Sequence, residues 1–208
     1  MKIYIIRHGE TALNANGVMQ GRLNEPINDN GRQLAIVTGQ ALQGVHFDAC
    51  FCSPLDRARE TAEIILRESD NEVPIQIDER IIEISFGEFE GRRLEEMDGE
   101  PEKFFTDPFH FVPAPSGESI QDVCDRTQAF LHELMERDDD KTYLISTHGC
   151  AMRAMTNDLM ENPADYWMGH APYNCSFTIV NVVNGKPQIE AIDKVYYDRN
   201  LIVDRYKK

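Results

Sequence analysis

A chain of 208 residues with 41% hydrophobic residues is long enough for one compact domain with a sizeable core, with room for a small inserted cap. Its formal net charge of −15 leaves no basic footprint for neutralising phosphates, which argues against nucleic acid and anionic membrane as partners. Any phosphate site has to be a local positive hole in a negative field.

The chain opens directly in a strand. It shows no secretory leader, membrane span or lipidation motif, so a cytoplasmic protein is expected. Five scattered cysteines (Cys50, Cys52, Cys124, Cys150, Cys175) form no C-x-x-C pair. That favours small buried hydrophobes over a zinc site or redox couple.

In chain order, Lys2–Ile6 reads as a buried strand and 7–30 as a polar, Asn- and Gly-rich loop with room for a short helix. Asp29-Asn30-Gly31 reads as a turn before a helix over Arg32–Leu42. Phe47–Cys52 is a strand, ended by Ser53-Pro54, where Ser suits a helix cap and Pro the first helical position. The helix Leu55–Arg67 places Ala58, Ala62, Ile65 and Leu66 on one face. Val73–Ile77 is a short third strand. Residues 78–118 are irregular, and a stretch that long inside a domain reads as a functional cap, about 84–118. Ser119–Glu136 is an amphipathic helix, Asp138–Asp140 a solvated connection, Thr142–Ser146 a buried strand and Ala151–Met160 a helix. Ser176–Val183 and Lys186–Ile192 flank Asn184-Gly185, a hairpin signal. The pattern predicts an α/β, three-layer αβα sandwich. Its central sheet is mostly parallel with one antiparallel strand, and a small irregular cap covers the site.

Arg7-His8 follows the first strand, Arg57 opens the helix after the second, Glu83 lies beyond the third, and His148 follows the fourth. C-terminal strand ends of a parallel sheet share one edge, so these residues are expected to meet in one crevice. Arg offers a planar fork to phosphoryl oxygens, and a helix start adds N–H groups. A neutral imidazole can accept a phosphoryl group on nitrogen. A carboxyl in apolar company can hold the proton a leaving oxygen needs, and Glu83 stands between Ile82 and Ile84. Glu79, Glu88 and Glu90 are its rivals, with Glu90 read as a structural partner of the turn.

These segments resemble the histidine phosphatase superfamily, the phosphoglycerate mutase-like group. The motifs that carry the resemblance are Arg7-His8-Gly9-Glu10-Thr11 with Asn14, Ser53-Pro54-Leu55-Asp56-Arg57-Ala58-Arg59-Glu60-Thr61-Ala62, Glu83 with Gly87, Glu90 and Gly91, Ser116-Gly117-Glu118-Ser119, and Thr147-His148-Gly149. All five stand in the family order. The resemblance implies His8 as nucleophile and phosphohistidine, with Arg7, Arg57 and His148 holding the phosphoryl group. It implies Glu83 as the acid that protonates the leaving group and then activates water. Asn14 would donate to the phosphoryl oxygens, with Thr11, Gln20, Gly21 and Gly149 on the substrate side. It implies no metal and no cofactor, and a small phosphorylated metabolite as substrate.

The resemblance leaves three readings: phosphatase, phosphoglycerate mutase, and a non-catalytic phospho-ligand module. Ile84-Ser85-Phe86 stands where mutases of the family carry an Arg-His-Tyr type sequence. Segment 94–118 has Lys103 as its one basic side chain besides His110, although Arg92 and Arg93 precede it. Its acidic residues (Glu95, Glu96, Asp98, Glu100, Glu102) disfavour a polyanionic leaving group, and its phenylalanines hint at an apolar one. The phosphatase reading is therefore favoured, and no expected catalytic residue is missing for the third. His46 reads as a surface residue, His110 as a candidate cap residue, Arg153 as structural, and Trp167 and His170 have no assigned place. The C-terminal Tyr196-Tyr197 and Leu201-Ile202-Val203 are apolar enough to cover either the core or a second copy, so a homodimer is one expectation.

Overall fold

The computed structural model describes residues 1–96, 99–137 and 139–201. Asp98 and Asp138, and Ile202 and Val203 of the apolar C-terminal segment, lie outside them. The described residues form a six-stranded sheet from Lys2–Arg7 (β1), Ala49–Cys52 (β2), Ile75–Ile77 (β3), Thr142–Thr147 (β4), Phe177–Val183 (β5) and Lys186–Lys194 (β6), in the order β3-β2-β4-β1-β5-β6. β1 to β4 are mutually parallel, and β5 runs against both its neighbours, β1 and β6.

Parity explains the layers. Tyr4 and Ile6 enter one apolar cluster with Cys50, Cys52 and Leu144. Ile3 and Ile5 enter another with Phe51, Tyr143 and Ile145. That is the period-two signature of strands covered on both faces. The first face is closed by Asp29–Ala41 (which, after the short Ala12–Ala15, or α1, is α2) and by Asp56–Glu68 (α3), through Leu34, Ala35, Ala58 and Ile65. After Glu100–Thr106 (α4), the helices Ile120–Met135 (α5) and Gly149–Thr156 (α6) close the other, through Phe130, Leu131, Met152 and Met155. The three-layer α/β sandwich expected from the sequence is what the chain forms.

Several boundaries differ from the sequence reading, each for a local reason. α2 begins at Asp29 rather than Arg32, because the Asn28 side chain accepts from Gly31 N–H at 2.8 Å. What reads as a turn is the first helical turn. A Cβ on Gly31 would collide with the Glu10 backbone, so this crossing of the first loop over α2 needs glycine. β3 starts at Ile75, after Pro74, which has no N–H for a ladder. α6 starts at Gly149 and ends at Thr156, and Asn157–Leu159 is a tighter single turn. Ser53 does not cap α3. The cap position is Leu55, without a side-chain bond, and the Ser53 hydroxyl is used elsewhere.

The cap residues pack in a third apolar cluster, shared with α5 and α6 through Ile120, Val123, Ala151 and Ala154. Phe104 lies edge-on to Phe86, Phe105, Phe111 and Trp167, with ring centroids 4.8 to 5.5 Å apart. Trp167 Nε1–H donates to the Phe104 carbonyl at 2.7 Å. Tyr166 and Trp167, far outside 84–118, are thus part of the cap. His110 faces solvent in a pair with Asp107, and His46 is exposed. Arg153 is buried in an ion pair with Asp193 at 2.5 Å, the structural role expected of it. Arg59 pairs with Glu63 one helical turn on. Tyr197 is buried, its hydroxyl donating to the Asn174 carbonyl.

Candidate active site

Register brings the two histidines together. Arg7 of β1 pairs with Thr147 of β4, so His8 and His148 leave the sheet side by side. His8 N–H donates to the Thr147 carbonyl at 3.0 Å, and the two imidazole centroids are 5.2 Å apart. β2 is the other neighbour of β4. Ser53 N–H donates to the Ser146 carbonyl, which puts the start of α3, and Arg57, beside His148. The Thr147 hydroxyl donates to the Ile81 carbonyl at 2.7 Å and anchors the segment that carries Glu83.

The tautomers follow from the partners. His8 Nδ1 lies 2.7 Å from the Gly9 carbonyl, which can only accept, so Nδ1 carries the proton and Nε2 keeps its lone pair. Burial first, then the Arg57 and Arg7 guanidiniums, holds His8 well below its ordinary pKa of 6.5 and hence neutral. His148 is fully buried and held neutral in the same way, by burial and then Arg57. Its Nδ1 accepts from Arg57 Nε–H at 3.2 Å, so its proton sits on Nε2 and is donated to Ser53 Oγ at 2.6 Å.

Arg57 is 1% exposed and also donates to the Gly21 and Leu23 carbonyls at 2.7 and 2.6 Å. Arg7 donates to the Pro172 carbonyl. The pocket between them is lined by Arg7, His8, Asn14, Gln20, Gly21, Arg57, Glu83 and Gly149, eight of the ten expected site residues. The other two stand behind it. His148 backs His8 and Arg57. Thr11 is a correction: it is fully buried, caps α1 and donates to Gln20 Oε1 at 2.9 Å, so it positions a wall residue. Asn14 Oδ1 accepts from Thr11 N–H and Asn174, which fixes the orientation of its amide. Gly21 has φ +51 and a Cβ there would strike the Glu90 carboxylate, which itself accepts from Arg22 and Phe86 N–H. Glu90 is the turn partner it was expected to be.

Glu83 differs from its sequence reading. Its carboxyl does not sit among Ile82 and Ile84. Oε1 accepts from Ile84 and Ala151 N–H at 3.0 Å, and Oε2 from Cys150 N–H at 3.3 Å, at the start of α6. Its main chain is clamped from behind. The Glu83 carbonyl accepts from Arg22 and Arg126, both of which also pair with the Glu118 carboxylate at 3.0 Å. Sequence reasoning missed Ser53 as a partner of His148, the Arg22–Glu118–Arg126 clamp, and Asn174, which donates to the His8 carbonyl at 3.0 Å. The Ser116–Ser119 motif was the available signal for Glu118.

A family model described as histidine phosphatase superfamily (branch 1) matches residues 3–194. The chain belongs to this superfamily. Phosphoserine phosphatase 1 of Hydrogenobacter thermophilus is 31% identical, over 88% of this chain and 87% of its own. A protein of Erwinia tasmaniensis named probable phosphoglycerate mutase GpmB is 29% identical over 87% of this chain and 85% of its own. Among solved structures, YhfR of Bacillus stearothermophilus superposes with a TM-score of 0.85 at 32% identity, over 93% of this chain and 97% of that one. Superfamily membership together with the phosphatases among the relatives gives phosphatase chemistry as the coarse function. No helix among the described residues is long and apolar enough to cross a membrane.

The five cysteines of this superfamily member are all buried. Burial pushes the Cys50, Cys124 and Cys175 thiols up to about 12, and Cys52 and Cys150 well above their ordinary value. Cys50, Cys52, Cys124 and Cys175 are packing residues, as expected, and Cys150 lies in the wall of the pocket.

Proposed function

We propose that this protein is a phosphomonoesterase that works through a phosphohistidine on His8. The observation that carries the reading is the His8 Nδ1 contact to the Gly9 carbonyl, which turns a neutral Nε2 lone pair to the pocket between Arg7 and Arg57.

In the first step Nε2 attacks phosphorus. The N–P bond forms as the bond to the leaving oxygen breaks, and that oxygen takes its bonding pair and the proton of the Glu83 carboxyl. In the second step the Glu83 carboxylate removes a proton from water and the water oxygen attacks phosphorus. The N–P bond breaks, its pair returns to Nε2, and orthophosphate leaves. Two guanidiniums match the dianion's charge, and the preorganised charges and the positioned nucleophile supply the acceleration. Ser53 and Arg57 hold His148 in one tautomer beside them.

Rapid quench with 4-nitrophenyl phosphate, followed by intact-mass analysis, tests the reading. Acid-labile phosphate on the wild type, fast release to water and none on His8→Ala is the expected result. Labelling that is stable in water and discharged by 3-phosphoglycerate would make the protein a mutase. Absence of labelling and turnover with every ester offered would leave a binding module.

A further inference from the structure

Ahead of β5, residues 168–175 form a strap with neither helix nor strand, and it lies behind the phosphoryl end of the pocket. The Pro172 carbonyl accepts from the Arg7 guanidinium, and Cys175 N–H donates to the Arg7 carbonyl at 3.0 Å. The Asn174 amide donates to the His8 carbonyl at 3.0 Å and to Asn14 Oδ1 at 3.3 Å. One segment therefore grips Arg7, His8 and Asn14 together. Without regular structure, its own place depends on its anchors. At the β5 end that anchor is Tyr197, whose hydroxyl donates to the Asn174 carbonyl at 2.7 Å.

The His170 end is anchored by a buried charge pair. Arg153 Nη2, from α6, donates to the His170 carbonyl at 3.3 Å and to Asp193 Oδ2 at 2.5 Å. The Arg153 and Asp193 side chains are 1% and 9% exposed. His170 Nε2 stands 3.6 Å from the same carboxylate oxygen, and its ring stacks on Tyr173 with centroids 4.6 Å apart. Asp193 reaches this place through an irregularity in β6. Phe177 pairs with Lys194 but Ile179 with Ala191, so β6 carries one extra residue there. Asp193 sits in that bulge with φ +50, a left-handed conformation that Asp tolerates better than most residues. Met168 and Cys175, at the two ends of the strap, have φ +51 and +55. Of the six left-handed non-glycine residues among the described residues, three thus belong to the strap and its anchor. Such conformations persist where surrounding contacts hold them, and they gather at functional sites. A buried ion pair adds little net stability over apolar packing of the same volume, so its effect here is placement.

We propose that Asp193 is a positioning residue for Arg7, acting through Arg153 and the strap. The carboxylate fixes the Arg153 guanidinium, and the guanidinium fixes the His170 carbonyl. The strap then presents the Pro172 carbonyl to Arg7 Nη1, which aims the rest of the Arg7 fork at the phosphoryl group, while Asn174 steadies the His8 backbone. Arg153 also stands one helical turn after Gly149, where a Cβ would lie 3.4 Å from Arg7 Nε. α6 therefore controls Arg7 twice, by direct packing at Gly149 and through the strap at Arg153. The inference rests on the phosphomonoesterase reading, in which Arg7 holds the transferred group.

The test measures the Kd of inorganic phosphate by titration calorimetry, and kcat and KM with 4-nitrophenyl phosphate, for the wild type, Asp193→Gly and Asp193→Asn. Glycine keeps the left-handed turn and removes the carboxylate, whereas asparagine keeps the turn and one acceptor oxygen. Asp193→Gly is expected to weaken phosphate binding about fivefold to tenfold and to lower kcat about tenfold. Asp193→Asn, which loses only the charge, is expected to weaken phosphate binding about threefold. Arg7→Lys keeps a cation but loses the fork that the strap holds. In that background either Asp193 substitution should change phosphate affinity by less than about twofold. A merely structural pair would lower the melting temperature of Asp193→Gly and leave phosphate Kd and kcat of the folded enzyme at wild-type values, which overturns the proposal. An equal loss of phosphate affinity in both backgrounds overturns it too. Should Asp193→Gly not fold, Asp193→Asn carries the same comparison. No turnover and no phosphohistidine with the wild type overturns the phosphomonoesterase reading, while the phosphate affinities still decide the role of Asp193.

Discussion

The two ends of the pocket are built by different means. The phosphoryl end stands on the edge of a parallel sheet. His8 and His148 directly follow paired strands, and fixed polar contacts hold His8 there, from Gly9, Thr147 and Asn174. The cap end is made of single turns and one short helix, held by rings packed on Phe104. On the proposed function, chemistry that tolerates little displacement would sit on the sheet, and recognition that can vary would sit on the cap. A scaffold of this kind can change substrate without disturbing its reacting atoms.

That contrast can be broken from either side. The largest effect is expected from His8→Ala, which should lower kcat/KM by roughly ten-thousandfold or more for every ester, whatever its leaving group. A loss that depends on the leaving group would mean the reacting atoms are not confined to the sheet edge. Glu83→Gln comes next, at roughly a hundredfold to ten-thousandfold in kcat. With a 4-nitrophenyl ester, whose leaving group needs no proton, phosphoenzyme should accumulate in quench experiments. Failure to accumulate it would remove Glu83 from the hydrolytic step.

Phe104→Ala attacks the other end. It should cost about 3–5 kcal/mol in the cap's packing, seen as faster amide exchange over 100–111 and 166–167. It should raise KM more than it lowers kcat. An equal fall in kcat would mean the cap also positions the reacting groups. Glu118→Gln sharpens the boundary between the ends. It loosens Arg22 and Arg126 behind the Glu83 carbonyl and should lower kcat about tenfold with KM little changed. An unchanged kcat would show that the clamp serves the cap alone.

The smallest expected effect is on stability. His8 and His148 are buried and held neutral, while in the unfolded chain each binds a proton below its ordinary pKa of 6.5. The unfolded state therefore binds more protons, and stability should fall as pH drops below about 6.5. Urea midpoints at pH 7.5 and 5.5 measure this, and His8→Gln should flatten the slope. The same slope in the variant would place the acid sensitivity elsewhere. Asp78 and Asp122, held below the ordinary carboxylate range by bonds from Arg80 and Ser119, act only at lower pH.

Much of the molecule was legible before folding. Strand parity is a local property, so the two-faced sheet, the hairpin at Asn184-Gly185 and the covering helices could be read from it. The motifs named the residues at the strand ends because a residue that follows a buried strand has one place to go. Eight of the ten expected site residues line the pocket. The cap resisted because its order comes from ring contacts across the chain, such as Phe104 with Trp167, and no period marks them.

The sequence alone therefore determined the class of fold and singled out the candidate reacting groups, since both rest on patterns within a few residues. Tertiary structure alone decided their state. Only the insertion of β4 between β1 and β2 sets His148 against His8, turns Ser53 from an expected helix cap into an acceptor for His148, and makes α6 the bed of the Glu83 carboxyl. The physical reason is that tautomer, proton affinity and pocket shape depend on which atoms surround a group. For these groups the surrounding atoms come from up to 166 residues away along the chain.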